Sequence, residues 1–328
     1  GFSLKEAVKT ARLIEKAGAD AIHVSSFPTT SLRFPPMSEP PGTLLPLAAA
    51  MKQAVSLPVI AVGRITPELA EQALSQGQAD FVAMGRALIA DPNLPFALAT
   101  GRQEDIRPCV GCLECYDHFS TSGTGDEALR CALNPTVGKE RATRYRWIRT
   151  QKTVLVVGGG PGGMAAAITA ARRGFQVTLC ERSDSVGGQL NLAVVPPYKS
   201  GLAALRDYMV AQMKSWGVEV KLNTEVTAQY IERVAPHAVV LATGASPSLP
   251  QVPGIRNGNV VTAQDVLAGK GKVGKRVVII GGQRLACETA EHLAAKRKAV
   301  TILGKQRPIG QEVIPEYGRN LMLERLRQ

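Results

Sequence analysis

From position 3 to 91 the hydrophobic and polar residues alternate between helical stretches, at 4–16, 44–54 and 67–76, and short apolar runs, at 21–24, 59–62 and 81–84. This is the rhythm of consecutive β/α units around a parallel sheet. Gly18 and Gly77 follow two of the helices where C-caps are expected, each just ahead of a strand. From about 107 to 140 the pattern has no clear period. It returns at 152, with a strand at 154–157, a glycine turn, a helix at 164–171 and a strand at 176–180, as in a Rossmann unit. A strand at 276–280 opens a second such unit, which reaches a strand at 300–303 and one helix. The expected division is 1–104, 105–150, 151–274 and 275–328. Gly1 in place of an initiating Met, and the short second unit, read as a piece of a longer protein.

The run 154–171 is as long as a membrane span, but Gly158, Gly159, Gly160, Pro161, Gly162 and Gly163 break it, so it reads as a buried strand, turn and helix and not as a membrane segment. The 45% hydrophobic content over 328 residues suffices for two globular domains. No secretory pattern precedes them, and a cytoplasmic location is expected. The net charge of +12 raises the question of nucleic acid. Lys and Arg are spread along the chain, however, and the one dense stretch, Lys139 to Lys152, reads as a solvated linker. Phosphate-rich cofactors, or an acidic redox partner, account better for the charge.

The clearest chemical signal is Gly158-x-Gly160-x-x-Gly163 between an apolar strand and a helix of small residues. Glycines there permit the tight turn, close approach of backbone to a pyrophosphate and close helix packing, with the helix N-terminus facing the anion. Glu181, at the end of the next strand, is placed to accept hydrogen bonds from a ribose. A ligand-free tight turn is the plainer alternative. Cys109, Cys112, Cys115 and Cys131 supply four thiolates, the ligand count of one [4Fe-4S] cluster, with a four-thiolate zinc site as the alternative. Cys180 and Cys287 read as small buried hydrophobes, and His118 as a bystander. Val62-Gly63-Arg64 and Met84-Gly85-Arg86 finish two expected strands alike, one β/α unit apart. In a barrel such loops build a phosphate site from glycine amides and arginine.

Together the segments PVIAVGRI, FVAMGRALIADP, RPCVGCLEC, RCALNP, VLVVGGGPGG, ERSDSVGGQLN, KLNTEV and VVLATGASPSLP resemble the 2,4-dienoyl-CoA reductase group of the old yellow enzyme family, over nearly the whole chain. The resemblance implies an α/β chain: the C-terminal part of an FMN-binding (β/α)8 TIM barrel, an iron–sulfur segment, a Rossmann-like FAD domain and the start of an NAD(P)H domain. It matches Arg64, Gly85 and Arg86 to the FMN phosphate site, the four cysteines to [4Fe-4S] ligands, and Gly162, Glu181, Gln189, Lys199 and the strand-end Val226 to FAD contacts. It also implies a route from NADPH through FAD and the cluster to FMN, which reduces an activated double bond of an enoate or enoyl-CoA.

Three departures qualify this. Two residues separate Cys112 from Cys115 where the dienoyl-CoA reductases have three, a spacing nearer to trimethylamine dehydrogenase, so an amine substrate and an electron-carrier protein as partner form the rival reading. Residues 25–34 lack the histidine that helps protonate substrate in the dienoyl-CoA reductases, and no catalytic residue is assigned. The second turn reads Gly281-Gly282-Gln283-Arg284-Leu285-Ala286, with Gln283 and Ala286 where glycines are expected. This last departure leaves room for a nucleotide-binding electron-transfer or regulatory module without its own substrate. Lys305 and Arg307, with no acid beside them, favour NADPH over NADH.

Overall fold

The computed structural model describes residues 3–26, 35–121, 129–143, 146–149, 151–305, 309–311 and 316–327. The chain forms two compact units, Gly1–Gly138 with Ile314–Leu321, and Lys139–Val313 with Met322–Gln328.

In the first unit, helix α1 (Leu4–Lys16) starts in a capping box: Ser3 accepts from the Glu6 N–H while the Glu6 carboxylate accepts from Ser3. Strand β1 (Ile22–Val24), helix α2 (Leu45–Lys52), strand β2 (Val59–Ala61), helix α3 (Pro67–Ser75) and strand β3 (Phe81–Val82) follow, then α4 (Gly85–Ala90), α5 (Leu94–Ala99) and α6 (Glu114–Thr121). The three strands form one parallel sheet in the order β1-β2-β3. Helix faces rich in alanine, with Ala48, Ala70 and Ala73, lie close against fully buried Val59 and Ala61.

The two Gly-Arg pairs do not finish strands alike. The β2 strand ends before Gly63-Arg64, which turns through left-handed backbone at φ 116° and 54°. The Arg64 carbonyl accepts from the Gly42 N–H, and a Cβ on Gly63 would stand 2.8 Å from Leu44. The β3 strand stops at Val82, and Gly85-Arg86 instead opens α4. The aperiodic cysteine stretch also contains a helix, α6.

The second unit holds β4 (Thr153–Val157), α7 (Pro161–Arg172), β5 (Gln176–Cys180), α8 (Leu190–Ala193), α9 (Gly201–Ser215), β6 (Glu219–Lys221), α10 (Ala228–Val234), β7 (Ala238–Leu241), α11 (Ala263–Leu267), β8 (Arg276–Ile280), α12 (Arg284–Ala295) and β9 (Ala299–Leu303). A parallel sheet runs β6-β5-β4-β7. Alternate residues of β4 feed two cores: Val154 and Val156 meet Met164, Ala167 and Met213, while Leu155 and Val157 meet Cys180 and Ile231. The order of strands reverses between β4 and β7, which opens a crevice at their carboxyl ends. The β8 and β9 strands form a second parallel pair. Helix α13 (Glu316–Arg327) comes last; its Arg325 pairs with Glu291 of α12 at 2.7 Å and stacks on Tyr198. Among the described residues no helix is long and apolar enough to cross a membrane.

Contrary to the expectation from KLNTEV, Val226 does not end a strand. The β6 strand ends at Lys221, and Asn223 turns at φ 50° to donate its N–H to the Ser183 carbonyl, so the ladder is broken before Val226 is reached.

Candidate functional site

The turn after β4 is built by glycines with different tasks. Gly158 sits at φ 107° and donates its N–H to the Cys180 carbonyl at 2.8 Å. A Cβ on it would strike the Ala242 carbonyl oxygen, and a Cβ on Gly163 would strike the Gly158 carbonyl oxygen. These two glycines let α7 and the chain after β7 close on the turn. Around Gly160 and Gly162 nothing lies within 4 Å of where a Cβ would stand, so backbone there is bare toward open space at the first turn of α7. Gly187 donates to the Gly159 carbonyl at 2.8 Å, which lays the SVGG loop over the turn.

Glu181 joins the same crevice. Its carboxylate accepts the Gly159 N–H at 2.6 Å and the Ser183 N–H at 2.9 Å. Burial pushes this carboxyl up, but the two backbone donors, the Ser183 hydroxyl and the nearby Arg182 together outweigh it and hold the group below its ordinary value, as an anion. A carboxylate offers about four acceptor positions, so the two backbone donors and the Ser183 hydroxyl leave capacity for one ribose hydroxyl. Gln189, at the N-terminus of α8, donates to the Ala245 carbonyl at 3.2 Å and ties that helix to the loop after β7. Gly158, Gly160, Gly162, Gly163, Glu181 and Gln189 therefore surround one crevice. Lys199 instead pairs with Glu288 of α12 at 2.8 Å, and Val226 packs against the core of Leu155, Val157 and Cys180.

The second turn departs less from a nucleotide turn than its sequence suggests. Gly281 takes φ 130° and donates to the Leu303 carbonyl at 2.8 Å. A Cβ on Gly282 would stand 3.3 Å from the Gly304 Cα. Ala286 replaces the third glycine in the first turn of α12, where its methyl is buried. Arg307 and residues 27–34, on which two of the sequence expectations fall, lie outside the described residues.

The cysteine segment is tied at both ends to the last turn of α4. Buried Asp91 accepts the Arg107 N–H at 2.8 Å, and the Arg107 guanidinium donates to the Ala90 carbonyl at 3.1 Å. Beyond Cys131, buried Asn134 donates to the Ile89 carbonyl at 2.9 Å. Sequence reasoning missed these docking residues, although a signal was there. Asp91-Pro92 and Asn134-Pro135 both form turns in which the side chain accepts the N–H two residues on. Asn134→Ala should lower the stability of the protein by about 1–3 kcal/mol, because it leaves polar groups unpaired in a buried place. Urea unfolding of the full-length protein checks this, and an unchanged midpoint would mean that the tie carries no load.

Between these ties, buried Val110 and Leu113 anchor a loop with left-handed backbone at Gly111 and Leu113. Cys109, Cys112, Cys115 and Cys131 are free thiols, half-buried and within electrostatic reach of one another. Burial pushes the Cys112 and Cys115 thiols up and the neighbouring sulfurs add to this, opposed at Cys112 by the Glu114 N–H and at Cys115 by Arg86. Four soft thiolates on one docked segment suit an iron–sulfur cluster as a donor set. Among the described residues no group of three His, Cys, Asp or Glu side chains is arranged to hold a metal ion. Cys180 and Cys287 are buried, as expected, and burial raises Cys287 to about 11.

Arg64 and Arg86 converge on one stretch of chain. The Arg64 guanidinium donates to the Pro36 carbonyl at 2.7 Å and to the Glu39 carbonyl, and Arg86 donates to the Pro35 carbonyl at 2.9 Å.

Comparison with known proteins follows the same division. The Pyridine nucleotide-disulphide oxidoreductase family matches residues 152–328, and the NADH:flavin oxidoreductase / NADH oxidase family matches residues 6–105. An NADH oxidase of Thermoanaerobacter brockii is 41% identical over 92% of this chain and 48% of its own length. A cinnamate reductase of Clostridium sporogenes is 36% identical over 95% of this chain and 46% of its own length. The structure of a 2-naphthoyl-CoA reductase in complex with 2-naphthoyl-CoA superposes with a TM-score of 0.94 at 35% identity, over 100% of this chain and 50% of that one. The chain thus spans about half the length of these relatives.

Proposed function

We propose, for a chain that belongs to the 2,4-dienoyl-CoA reductase-like group of the old yellow enzyme family, the role of an NADPH-dependent flavin and iron–sulfur oxidoreductase that reduces an activated carbon–carbon double bond. The observation that carries this reading is the docking of the four-cysteine segment on α4, the helix that also bears Arg86. One rigid element then holds residues suited to FMN and residues suited to a cluster.

Gly63, Arg64, Gly85 and Arg86 would receive the FMN phosphate. Cys109, Cys112, Cys115 and Cys131 would hold the [4Fe-4S] cluster, which when bound passes electrons singly between flavins that each carry a pair. The bare backbone at Gly160 and Gly162 would receive the FAD pyrophosphate, and Glu181 the ribose. Gln189 would hold the wall of that crevice, and Lys199 and Val226 would be the further FAD contacts that the family resemblance implies. An enoate or enoyl-thioester substrate follows from the likeness to the cinnamate and 2-naphthoyl-CoA reductases. The two-residue gap between Cys112 and Cys115 favours the second reading, an amine dehydrogenase that delivers electrons to a carrier protein.

Anaerobic mixing of the full-length holoenzyme with NADPH separates the two. Prompt bleaching of the flavin absorbance, reversed by a cinnamate-type enoate, is expected. Bleaching by an amine and none by NADPH would replace the first reading with the second. NADPH should also outrun NADH, since Lys305 and Arg307 offer two cations to a 2′-phosphate. Equal rates of hydride transfer from the two donors would remove that preference.

A further inference from the structure

We infer that Arg64 is a positioning residue for the iron–sulfur cluster, a fixed cation packed against the loop that joins its first two ligands, in addition to any contact with flavin phosphate. The inference rests on the reading of the four cysteines as a cluster site. Gly111 lies between Cys109 and Cys112 at φ 71°, and a Cβ on it would stand 3.0 Å from Nε of Arg64 and 3.2 Å from both its Cδ and its Cζ. The guanidinium therefore lies close against the bare backbone of the cysteine loop, where any larger residue at 111 would press on it.

Nothing about this placement is loose. Arg64 springs from left-handed backbone that any β-branched residue would resist, its carbonyl is held by Gly42, and its guanidinium is half-buried under the carbonyls of Pro36 and Glu39. Side-chain torsions so constrained keep the charge in one place. The charge is felt across the loop: Arg64 and Cys109 interact electrostatically, as do Arg86 and Cys115. Two cations thus stand within electrostatic reach of the cysteines that would hold the cluster. The potential of a cluster depends on net charge, hydrogen bonding and exposure around its sulfurs. A cation in a partly buried place stabilises the reduced, more negative form, because Coulomb energy grows as the local dielectric falls. Arg64 should accordingly raise the midpoint potential of the cluster.

The test is an EPR-monitored redox titration of the full-length holoenzyme, with iron and FMN counted on the same samples, in the wild type, Arg64→Gln and Arg64→Lys. Arg64→Gln is expected to retain its iron and titrate at a lower potential, and Arg64→Lys to recover most of the shift. An Arg64→Gln midpoint equal to that of the wild type, with or without loss of FMN, overturns the inference and leaves Arg64 a phosphate ligand alone. If Arg64→Gln loses its iron, Arg64→Lys decides: retained iron with a near wild-type midpoint supports the charge, while iron lost from both variants assigns Arg64 to packing only. Absence of cluster iron from the wild type would instead overturn the cluster reading, and this inference with it.

Discussion

Cys131→Ser, made in the full-length protein, is expected to remove most of the iron and to interrupt reduction of FMN by NADPH. Three of the proposed ligands are close in sequence, on one loop and the first turn of α6, whereas Cys131 comes from farther along the chain. Its loss leaves one corner of the cluster to a hard hydroxyl in place of a soft thiolate, and such an oxygen is a poor iron–sulfur ligand. The protein itself should survive the change. Cys131 is half-buried, and the segment around it stays pinned by Asn134 to Ile89. The matching control is Cys180→Ser, which alters a fully buried sulfur in β5 and should keep the iron. Iron per chain and the visible absorbance of the purified enzyme give the answer. Four irons per chain in Cys131→Ser, with turnover unchanged, would falsify the ligand assignment.

The sequence made legible those elements whose signals are local. Helix α1 and strands β5 and β8 run over the expected residues because period, caps and flanking turns agree within one short window. What it hid depends on partners distant in the chain. Gly63-Arg64 and Gly85-Arg86 look alike as letters. The first pair turns left-handed because Leu44 and Gly42 close on it, while the second starts a helix. The string KLNTEV reads as strand to its end, yet Asn223 leaves the ladder to reach the Ser183 carbonyl. Lys199 carries no mark of Glu288, which lies on a helix 89 residues later. The glycines of the turn between β4 and α7 were readable, since steric need at a glycine turn writes itself into adjacent letters. The docking of the cysteine segment on α4 was not, because Asp91 and Asn134 act through hydrogen bonds that span 16 and 45 residues.

Gly163→Ala is expected to cost the protein its FAD and much of the stability of its second unit, whereas Gly162→Ala, one position away, should weaken FAD binding and leave the fold intact. Both lie in the first turn of α7, where Ala has the better intrinsic helix propensity by about 1 kcal/mol. Propensity alone would therefore make both changes mildly stabilising. Space reverses the outcome at Gly163. The added methyl would overlap the Gly158 carbonyl oxygen, so either α7 or the turn must move. The turn has little freedom to do so. The Gly158 N–H is bonded to the Cys180 carbonyl, its own Cβ position is closed by Ala242, and the Gly159 N–H is held by Glu181. Overpacking of this kind costs about 1–3 kcal/mol, more than propensity returns, and displaces the backbone amides that would face the pyrophosphate. At Gly162 the methyl meets nothing within 4 Å, and it would stand beside the amides proposed to face the pyrophosphate. Thermal unfolding together with FAD per chain after gel filtration, on both full-length variants, separates the two effects. Full FAD content and a wild-type Tm in Gly163→Ala would show that the turn can yield, and that the nucleotide crevice is not built around this contact.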